Sequence, residues 1–221
     1  MKKWFDMDSP IMQGLSRLAD MVMLSALWFV CCLPIITIGA STTALYYVTM
    51  KTAREEELRI APAFFQAFKN NFKQATAMNV IFLIVGLVLL LDCWIMLGSE
   101  GSMGMLICAA FLAMFVWLLC IAFYAYPLQA QFFNTVKQTL INAAILSMRK
   151  FATTVIVFIL NMLPVILGFI SLPVVVRTLP VWILLMPGLA ATINGKLFVK
   201  MFAPFLKAAS EQKEEPEQIE E

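Results

Sequence analysis

The sequence contains no histidine, which removes the side chain that proteins most often use as a general base and as a metal ligand near neutral pH. It also lacks a phosphate-binding glycine loop, a dinucleotide-binding glycine motif and a GxSxG nucleophile motif. The five cysteines show no CxxC spacing, so we interpret them as small buried hydrophobic residues. We therefore predict a protein that is not an enzyme, with no catalytic residue, no metal site and no cofactor.

Charge is scarce as well. Charged residues make up 14% of the chain, against about 25% in a typical soluble domain, and 62% of the residues are hydrophobic. Residues 76–97 hold one ionisable side chain, Asp92, and residues 102–125 hold none. A helix of about 20 mainly apolar residues crosses a bilayer core. We therefore predict an all-α, polytopic transmembrane helical bundle whose first partner is the lipid bilayer.

The domain organisation follows from the same distribution. Residues 1–207 form a single integral membrane helical domain, because the chain has no room for a second one. Residues 208–221 form an acidic tail without apolar periodicity, which we predict to be disordered and cytoplasmic. The net charge of +2 gives no indication of nucleic-acid binding.

Five apolar runs are clear, and the first is interrupted. Ser9-Pro10 is typical of a helix start, and Pro34 ends or kinks that helix after about Leu33. A short apolar helix then covers residues 44–50. The other runs cover 76–97, 103–126, 152–176 and 179–199. The last of these contains two prolines and two glycines, so we expect a bent or partly re-entrant helix.

The interruption decides the number of spans. If the chain crosses once between Leu18 and Met50, Lys2 and Lys3 lie outside; if it crosses twice, they lie inside. We favour two arms, hence six membrane segments: five clear spans and a short or re-entrant helix after the first. The residues beside the break are small or hydroxylated, which favours close helix packing and bonds to freed carbonyls. This candidate packing and kink signature is Pro34, Thr37, Gly39, Ser41, Thr42 and Thr43.

Lysine and arginine indicate the orientation. They concentrate in the connections 49–73 and 127–151 and near the end of the chain, whereas the opposite connections hold Asp92, Glu100 and Arg177. Short loops rich in lysine and arginine stay on the cytoplasmic side. We therefore predict a multi-pass protein of the cell membrane whose basic loops and C-terminus are cytoplasmic.

One basic connection carries an apolar face. Residues 62–74 place phenylalanines at helical spacing with lysine and asparagine opposite, which predicts an amphipathic helix lying in the inner membrane interface. This candidate cytoplasmic interface consists of Phe64, Phe65, Phe68, Phe72 and Lys73.

Three polar residues lie within apolar runs. Asp92 could face the bundle as a functional carboxylate, but it lies near the end of its run, and we favour an outer interfacial position. Asn161 precedes Pro164 and could line a solute route or bond the carbonyls that the proline frees. Asn194 is the third candidate polar intramembrane residue.

The N-terminal third contains several distinctive motifs, namely DSP at 8–10, LSRLAD at 15–20, CCLPIITIGASTTALYY at 31–47, FF at 64–65 and NFKQ at 71–74. In these motifs the chain resembles the YesL family. The resemblance implies a small membrane protein of a Gram-positive bacterium, of undefined biochemical function. It also implies genes that lie beside those for carbohydrate-uptake ABC transporters and polysaccharide breakdown. The family offers no catalytic residues that could be transferred to this chain.

Two functions remain open. The first is a non-enzymatic accessory protein associated with oligosaccharide ABC uptake, which contacts permease subunits through helix–helix contacts and its cytoplasmic loops. The second is a small transporter with a solute site at the broken helices, residues 34–39 and 187–195. A transporter predicts a polar cavity lined by Asn161, Asn194 or threonines, whereas an accessory protein predicts a dry interior and an apolar outer groove.

Overall fold

The computed structural model describes residues 10–98, 102–132, 134–170 and 172–217, and over these ranges every regular element is a helix. A short 3-10 turn, Ile35–Thr37, separates the first two α-helices. The α-helices are α1 (Pro10–Cys32), α2 (Ile38–Ala53), α3 (Ile60–Leu97), α4 (Ser102–Gln131), α5 (Val136–Arg149), α6 (Phe151–Ile170), α7 (Leu172–Arg177) and α8 (Leu179–Glu217). The predicted all-α class is confirmed.

The described residues contain four helices that are long and apolar enough to cross a membrane: Gly14–Cys32, Ile60–Leu97, Met103–Gln131 and Leu179–Leu206. A fifth is obtained if Val136–Arg149 and Phe151–Leu163 count as one broken span; the chain bends by 104° between these two helices. These helices identify a multi-pass membrane protein. The six membrane segments that we expected are not confirmed, because α2 is a separate helix of 16 residues, about 24 Å long, and does not qualify.

Helix α2 lies in the core of the bundle, where it contacts α1, α3, α4 and α8. Ten of its sixteen residues are buried, and many of these are small or hydroxylated, so the neighbouring backbones approach closely. Gly39 shows why. A Cβ at this position would collide with the carbonyl oxygen of Ala75 and lie 2.8 Å from the Cβ of Asn79. The helix is also three residues longer at its C-terminal end than the apolar run 44–50 predicts.

Helix α3 corrects one prediction. We expected an interfacial helix over residues 62–74 followed by a separate span from Thr76, but the chain forms one helix of 38 residues. Neither proline nor glycine lies between Ala63 and Val85, so nothing stops the helix where its polarity changes. The phenylalanine face is also covered by protein in part, since Phe64 is fully buried.

Helix α4 continues through Pro127 to Gln131, five residues into the connection that we predicted from residue 127. The rest of that connection is mostly α5, whose N-terminus has a capping box formed by Thr135 and Gln138. The predicted span 152–176 is divided between α6 and α7, with residue 171 outside the described residues.

Helix α8 runs without a break from Leu179 to Glu217, so the chain does not turn back within it as a re-entrant segment would. Pro180 lies in its first turn, where no intrahelical N–H bond is lost. The predicted disordered tail therefore begins within a helix. Residues 208–217 continue α8, since alanine, glutamate, glutamine and lysine are strong helix formers. Residues 218–221 lie outside the described residues.

Candidate functional site

The break between α1 and α2 is held by a set of buried hydrogen bonds. The side-chain amide of Asn79 donates to the carbonyls of Ile35 (2.9 Å) and Ile36 (3.3 Å), and its oxygen accepts from the hydroxyl of Tyr126 at 3.1 Å. The hydroxyl of Thr37 donates to the carbonyl of Cys31 at 2.6 Å. These bonds satisfy the carbonyls that the Pro34 break leaves without helical partners, as an apolar medium requires.

The other signature residues pack α2 against its neighbours. The hydroxyl of Ser41 donates to the carbonyl of Trp28 at 3.0 Å, and the hydroxyl of Thr42 accepts from the indole N–H of Trp28 at 3.1 Å. Thr43 is buried and bonds the carbonyl of Gly39 within its own helix at 2.9 Å. The structure therefore brings the six signature residues to one junction. Sequence reasoning missed the two side chains that close it, Asn79 and Tyr126, and an asparagine inside an apolar run was the only available signal.

Beside this junction lies an open cavity of about 570 Å³ between α1, α2, α6 and α8, which we call the aromatic cavity. Its aromatic walls are Trp28, Tyr46 and Trp182, and Asn161 of α6 also lines it. The remaining lining residues are Phe29, Cys32, Leu33, Thr42, Leu45, Leu160, Ile183, Met186, Pro187, Ala190 and Ala191. Most of these side chains are apolar, so the cavity is suited to an apolar ligand.

The polar groups around the aromatic cavity are mostly paired within the protein. The indole N–H of Trp182 donates to the hydroxyl of Thr178 at 2.8 Å, and the amide of Asn161 donates to the carbonyl of Val157 at 2.7 Å. Asn194 lies behind Tyr46 and donates to its hydroxyl at 3.3 Å. Its side-chain oxygen is buried and has no protein hydrogen-bond partner among the described residues. Of the three polar intramembrane candidates, Asn161 and Asn194 thus converge on Tyr46 or its cavity.

Asp92 lies elsewhere. It occupies the C-terminal end of α3, six residues before Gly98, and is partly exposed. It does not line the aromatic cavity, which Asn161 lines. This position separates Asp92 from Asn161 and Asn194, and its location at the outer membrane interface stays a prediction.

A second cavity, of about 490 Å³, lies at the other end of the same α1–α2–α8 seam. Arg17, Asp20 and Lys196 contribute to its charged lining, together with Glu55, Glu56 and Glu57. Glu56 pairs with Lys51 at 3.1 Å. The hydrogen bond to Glu56 raises the pKa of Lys51, with a smaller contribution from Tyr47.

Helix α8 packs closely against α1 and α2 beside the two cavities. The backbone N–H of Gly188 donates to the hydroxyl of Ser25 at 2.8 Å, which joins α8 to α1. A Cβ at Gly195 would lie 3.1 Å from the hydroxyl oxygen of Thr49, so α8 also lies close to α2. Helix α8 therefore has no room for a larger side chain toward α1 at Gly188 or toward α2 at Gly195.

The candidate cytoplasmic interface divides into covered and uncovered residues. Phe64 is fully buried, and Phe68 stacks on it with ring centroids 6.4 Å apart. Phe65 is 50% exposed and Phe72 is 42% exposed, and Lys73 is exposed as well. The last three residues are exposed to a partner, and Phe68 is partly buried.

The structure also pairs two of the cysteines. Cys93 of α3 and Cys108 of α4 form a disulfide, and their Cα atoms lie 4.5 Å apart, within the range that disulfides adopt. The interpretation of all five cysteines as unpaired hydrophobic residues was therefore wrong for this pair, because residues 15 apart in sequence face each other across the α3–α4 hairpin. Among the described residues, no cluster of histidine, cysteine or acidic residues could hold a metal ion.

Comparison with known families gives one match. Residues 21–93, about a third of the chain, match the model of a family described as a protein of unknown function, DUF624, which is the domain of YesL-like proteins. The matched part contains the Pro34 break, α2 and nearly all of α3. No curated protein and no solved structure matches the chain.

Proposed function

We propose that this protein is a YesL-type accessory protein of a bacterial plasma membrane, which acts by contacts with other membrane proteins rather than by catalysis. The family match supports the first half of this proposal, because it covers the whole signature from Cys31 to Tyr47. The YesL resemblance then implies the system that the protein serves, namely carbohydrate ABC uptake, with a permease subunit as the partner.

The proposal rests on two observations: aromatic side chains fill the core, and large apolar side chains are exposed on the outside of the bundle. The largest fully buried side chains include Tyr124, Phe64, Phe198, Phe202 and Met50, so aromatic residues fill the core. By contrast, Leu87, Trp94 and Leu106 are between 60% and 73% exposed. A core filled by aromatic side chains and an apolar exterior fit a protein that binds other helices or lipid.

The proposed orientation places the exposed Phe65, Phe72 and Lys73 in the cytoplasm, because Lys51, Lys69 and Arg54 lie in the same connection. The Cys93–Cys108 disulfide supports this orientation, since it lies at the opposite end of α3 and disulfides persist on the oxidising side of the membrane. A cytoplasmic partner would therefore contact the first turns of α3.

Copurification from native membranes tests the proposal. The full chain, isolated in mild detergent after chemical cross-linking, should retain a permease subunit of an ABC transporter. The double variant Phe65→Ala/Phe72→Ala should lose the permease, whereas Phe151→Ala, which alters a phenylalanine that is 72% exposed on α6, should retain it. Recovery of the chain without any permease in all three samples would contradict the proposal.

A transporter is the second candidate, and one observation favours it. The aromatic cavity and the second cavity, with its charged lining, both lie along α1, α2 and α8, and the contact of Gly188 with Ser25 joins α8 to α1 there. Such a pair of cavities resembles two vestibules with a closed constriction. Uptake of a labelled oligosaccharide into liposomes that contain only the purified chain would favour this candidate and exclude the accessory function as the sole activity.

A further inference from the structure

We propose that the aromatic cavity binds one acyl chain of a membrane phospholipid. The cavity volume of about 570 Å³ lies within the range of protein ligand sites. Phe29 and Leu33 line the cavity and are also exposed at 39% and 68%. The cavity is therefore continuous with the apolar surface of the bundle, and a lipid chain has an entry route that does not pass through water.

The state of the polar groups disfavours a hydrophilic occupant. The indole N–H groups of Trp28 and Trp182 already donate to Thr42 and Thr178, and the amide of Asn161 donates to Val157. These side chains therefore present mainly ring faces and methylene groups to the cavity. A sugar would bring several hydroxyl groups that need partners when buried, and the cavity has few donors left to offer.

The size of the cavity excludes a transmembrane helix of a partner protein. A helix with a diameter of about 10 Å would fill this volume with roughly 7 Å of its length, or about five residues. That length is a small part of a span of about 20 residues. An acyl chain is thin and flexible, and it can follow the groove between α1, α6 and α8.

The Asn194–Tyr46 pair makes the buried end of the cavity more polar than its apolar walls. The side-chain oxygen of Asn194 is buried and has no hydrogen-bond partner within the part of the chain that the structure describes, and Tyr46 connects Asn194 to the cavity wall. A neutral group could lie at this end. No lysine or arginine is among the described residues that line the cavity, so a phosphate would have no cation to pair with there. The headgroup of the lipid therefore lies outside the cavity, at the mouth near Leu33, and the acyl chain enters the cavity.

The two wall tryptophans serve as reporters. In a background that carries Trp4→Phe, Trp94→Phe and Trp117→Phe, the remaining indoles belong to Trp28 and Trp182. Phosphatidylglycerol with a dibrominated acyl chain, added to the full chain in detergent, should quench their fluorescence. The quenching should be saturable, close to one lipid per chain, and unbrominated phosphatidylglycerol should reverse it.

Variants that fill the cavity complete the test. Ala190→Phe should weaken the saturable quenching by at least about tenfold, and the smaller Ala190→Leu should give an intermediate loss. Ala109→Phe makes the same change at an exposed position of α4 and should leave the quenching unchanged. The circular dichroism of each variant reports whether its helices are retained.

Three results would overturn the proposal. The first is quenching that rises in proportion to the lipid fraction without saturation, which indicates only contact with surrounding lipid. The second is saturable quenching that Ala190→Leu and Ala190→Phe leave unchanged while both remain helical. The third is reversal by a water-soluble oligosaccharide but not by unbrominated lipid, which would assign the cavity to a sugar.

Discussion

The two halves of α3 are built for different surroundings. The proposed orientation makes residues 60–79 the inner half and residues 80–97 the outer half. The inner half buries Phe64, Ala67, Ala75, Met78 and Asn79, whereas the outer half buries only Gly86 and Leu89. The inner half exposes lysine and glutamine on its other side, but the outer half exposes leucine, valine and tryptophan. One uninterrupted helix is thus covered by protein at one end and requires lipid at the other.

This difference explains where hydrogen bonds are placed. At the boundary, Asn79 closes the α1–α2 junction through the carbonyls of Ile35 and Ile36. Closer to the N-terminus of α3, the side-chain amide of Gln129 in α4 donates to the side-chain oxygen of Gln74. The side-chain oxygen of Gln129 accepts from the hydroxyl of Thr139 in α5 at 3.2 Å. Polar networks therefore fix the inner half, and apolar packing with α4 holds the outer half, for example at Gly86 against Phe115. The predictions below test this division.

The largest expected effect is from truncation of a side chain in the inner half. Met78→Ala should lower the free energy of unfolding by about 2–5 kcal/mol, because Met78 is fully buried and its removal leaves a cavity. Leu87→Ala in the outer half, where the side chain is 60% exposed, should cost less than about 1 kcal/mol. Denaturant titration of the detergent-solubilised chain measures both. Equal losses would contradict the division of α3.

Glycine substitutions sharpen the comparison at the backbone. Gly39→Ala should lower the free energy of unfolding by about 1–3 kcal/mol, because the added Cβ collides with the carbonyl oxygen of Ala75. Gly86→Ala should cost less, since its Cβ meets only the ring of Phe115 at 3.3 Å. Gly14→Ala is the matched control, because its Cβ has no neighbour within 4 Å. An order of sensitivity other than Gly39, Gly86, Gly14 would show that α2 does not approach α3 so closely.

The hydrogen-bond junction comes next. Asn79→Leu should cost about 1–3 kcal/mol of unfolding free energy, because it leaves the carbonyls of Ile35 and Ile36 and the hydroxyl of Tyr126 without their partner. Tyr126→Phe removes one bond of the same set and should cost less. A double-mutant cycle measures the coupling of the two side chains. Strict additivity would mean that the Asn79–Tyr126 bond does not contribute to stability.

The disulfide probes the outer half alone. Reduction of Cys93–Cys108 should leave the coupling energy between Asn79 and Tyr126 within about 0.5 kcal/mol of its value in the oxidised chain, because the disulfide lies at the opposite end of the outer half of α3. In intact cells, a membrane-impermeant reductant should expose both thiols to an impermeant alkylating reagent. Labelling only after the cells are lysed would place the outer ends of α3 and α4 in the cytoplasm and reverse the proposed orientation.

The smallest effect concerns the inner ion pair. The pKa of Lys51 is raised above its ordinary value of 10.5 by Glu56, so the contribution of this pair is fully present below that value. The pair stabilises the protein until the pH rises through the raised pKa, where the charge is lost. The midpoint of thermal unfolding should therefore stay constant between about pH 7 and 9 and fall above about pH 10.5. Lys51→Gln should remove the part of the alkaline decrease that comes from this pair.

Much of the helical content could be predicted from the sequence. Apolar runs locate α3, α4, α6 and α8, because a membrane helix needs an uninterrupted apolar length. Pro34 marks the end of α1 for the same reason that proline ends helices elsewhere. The continuity of α3 could not be predicted, because its polarity changes at Gln74 and periodicity alone does not indicate whether a helix stops there.

The candidate site was harder to predict. Small and hydroxylated residues at 37–43 indicate close packing, and the structure places them in the junction as expected. Their partner Asn79 is more than 40 residues away, so no local spacing indicates the contact. Phe64 was assigned to a lipid interface because its helical face is apolar, but the same face fits a protein neighbour. Which neighbour covers an apolar face is a property of the tertiary fold.

Labelling from within the lipid tests the division of α3 most directly. A hydrophobic diazirine, photolysed in liposomes that contain the intact protein, should label peptides from residues 80–97 far more than peptides from residues 60–79, as peptide mass spectrometry measures. Lipid contact at the exposed Leu87 and Trp94, and protein cover over Phe64 and Met78, require this result. Equal labelling of the two halves would contradict it.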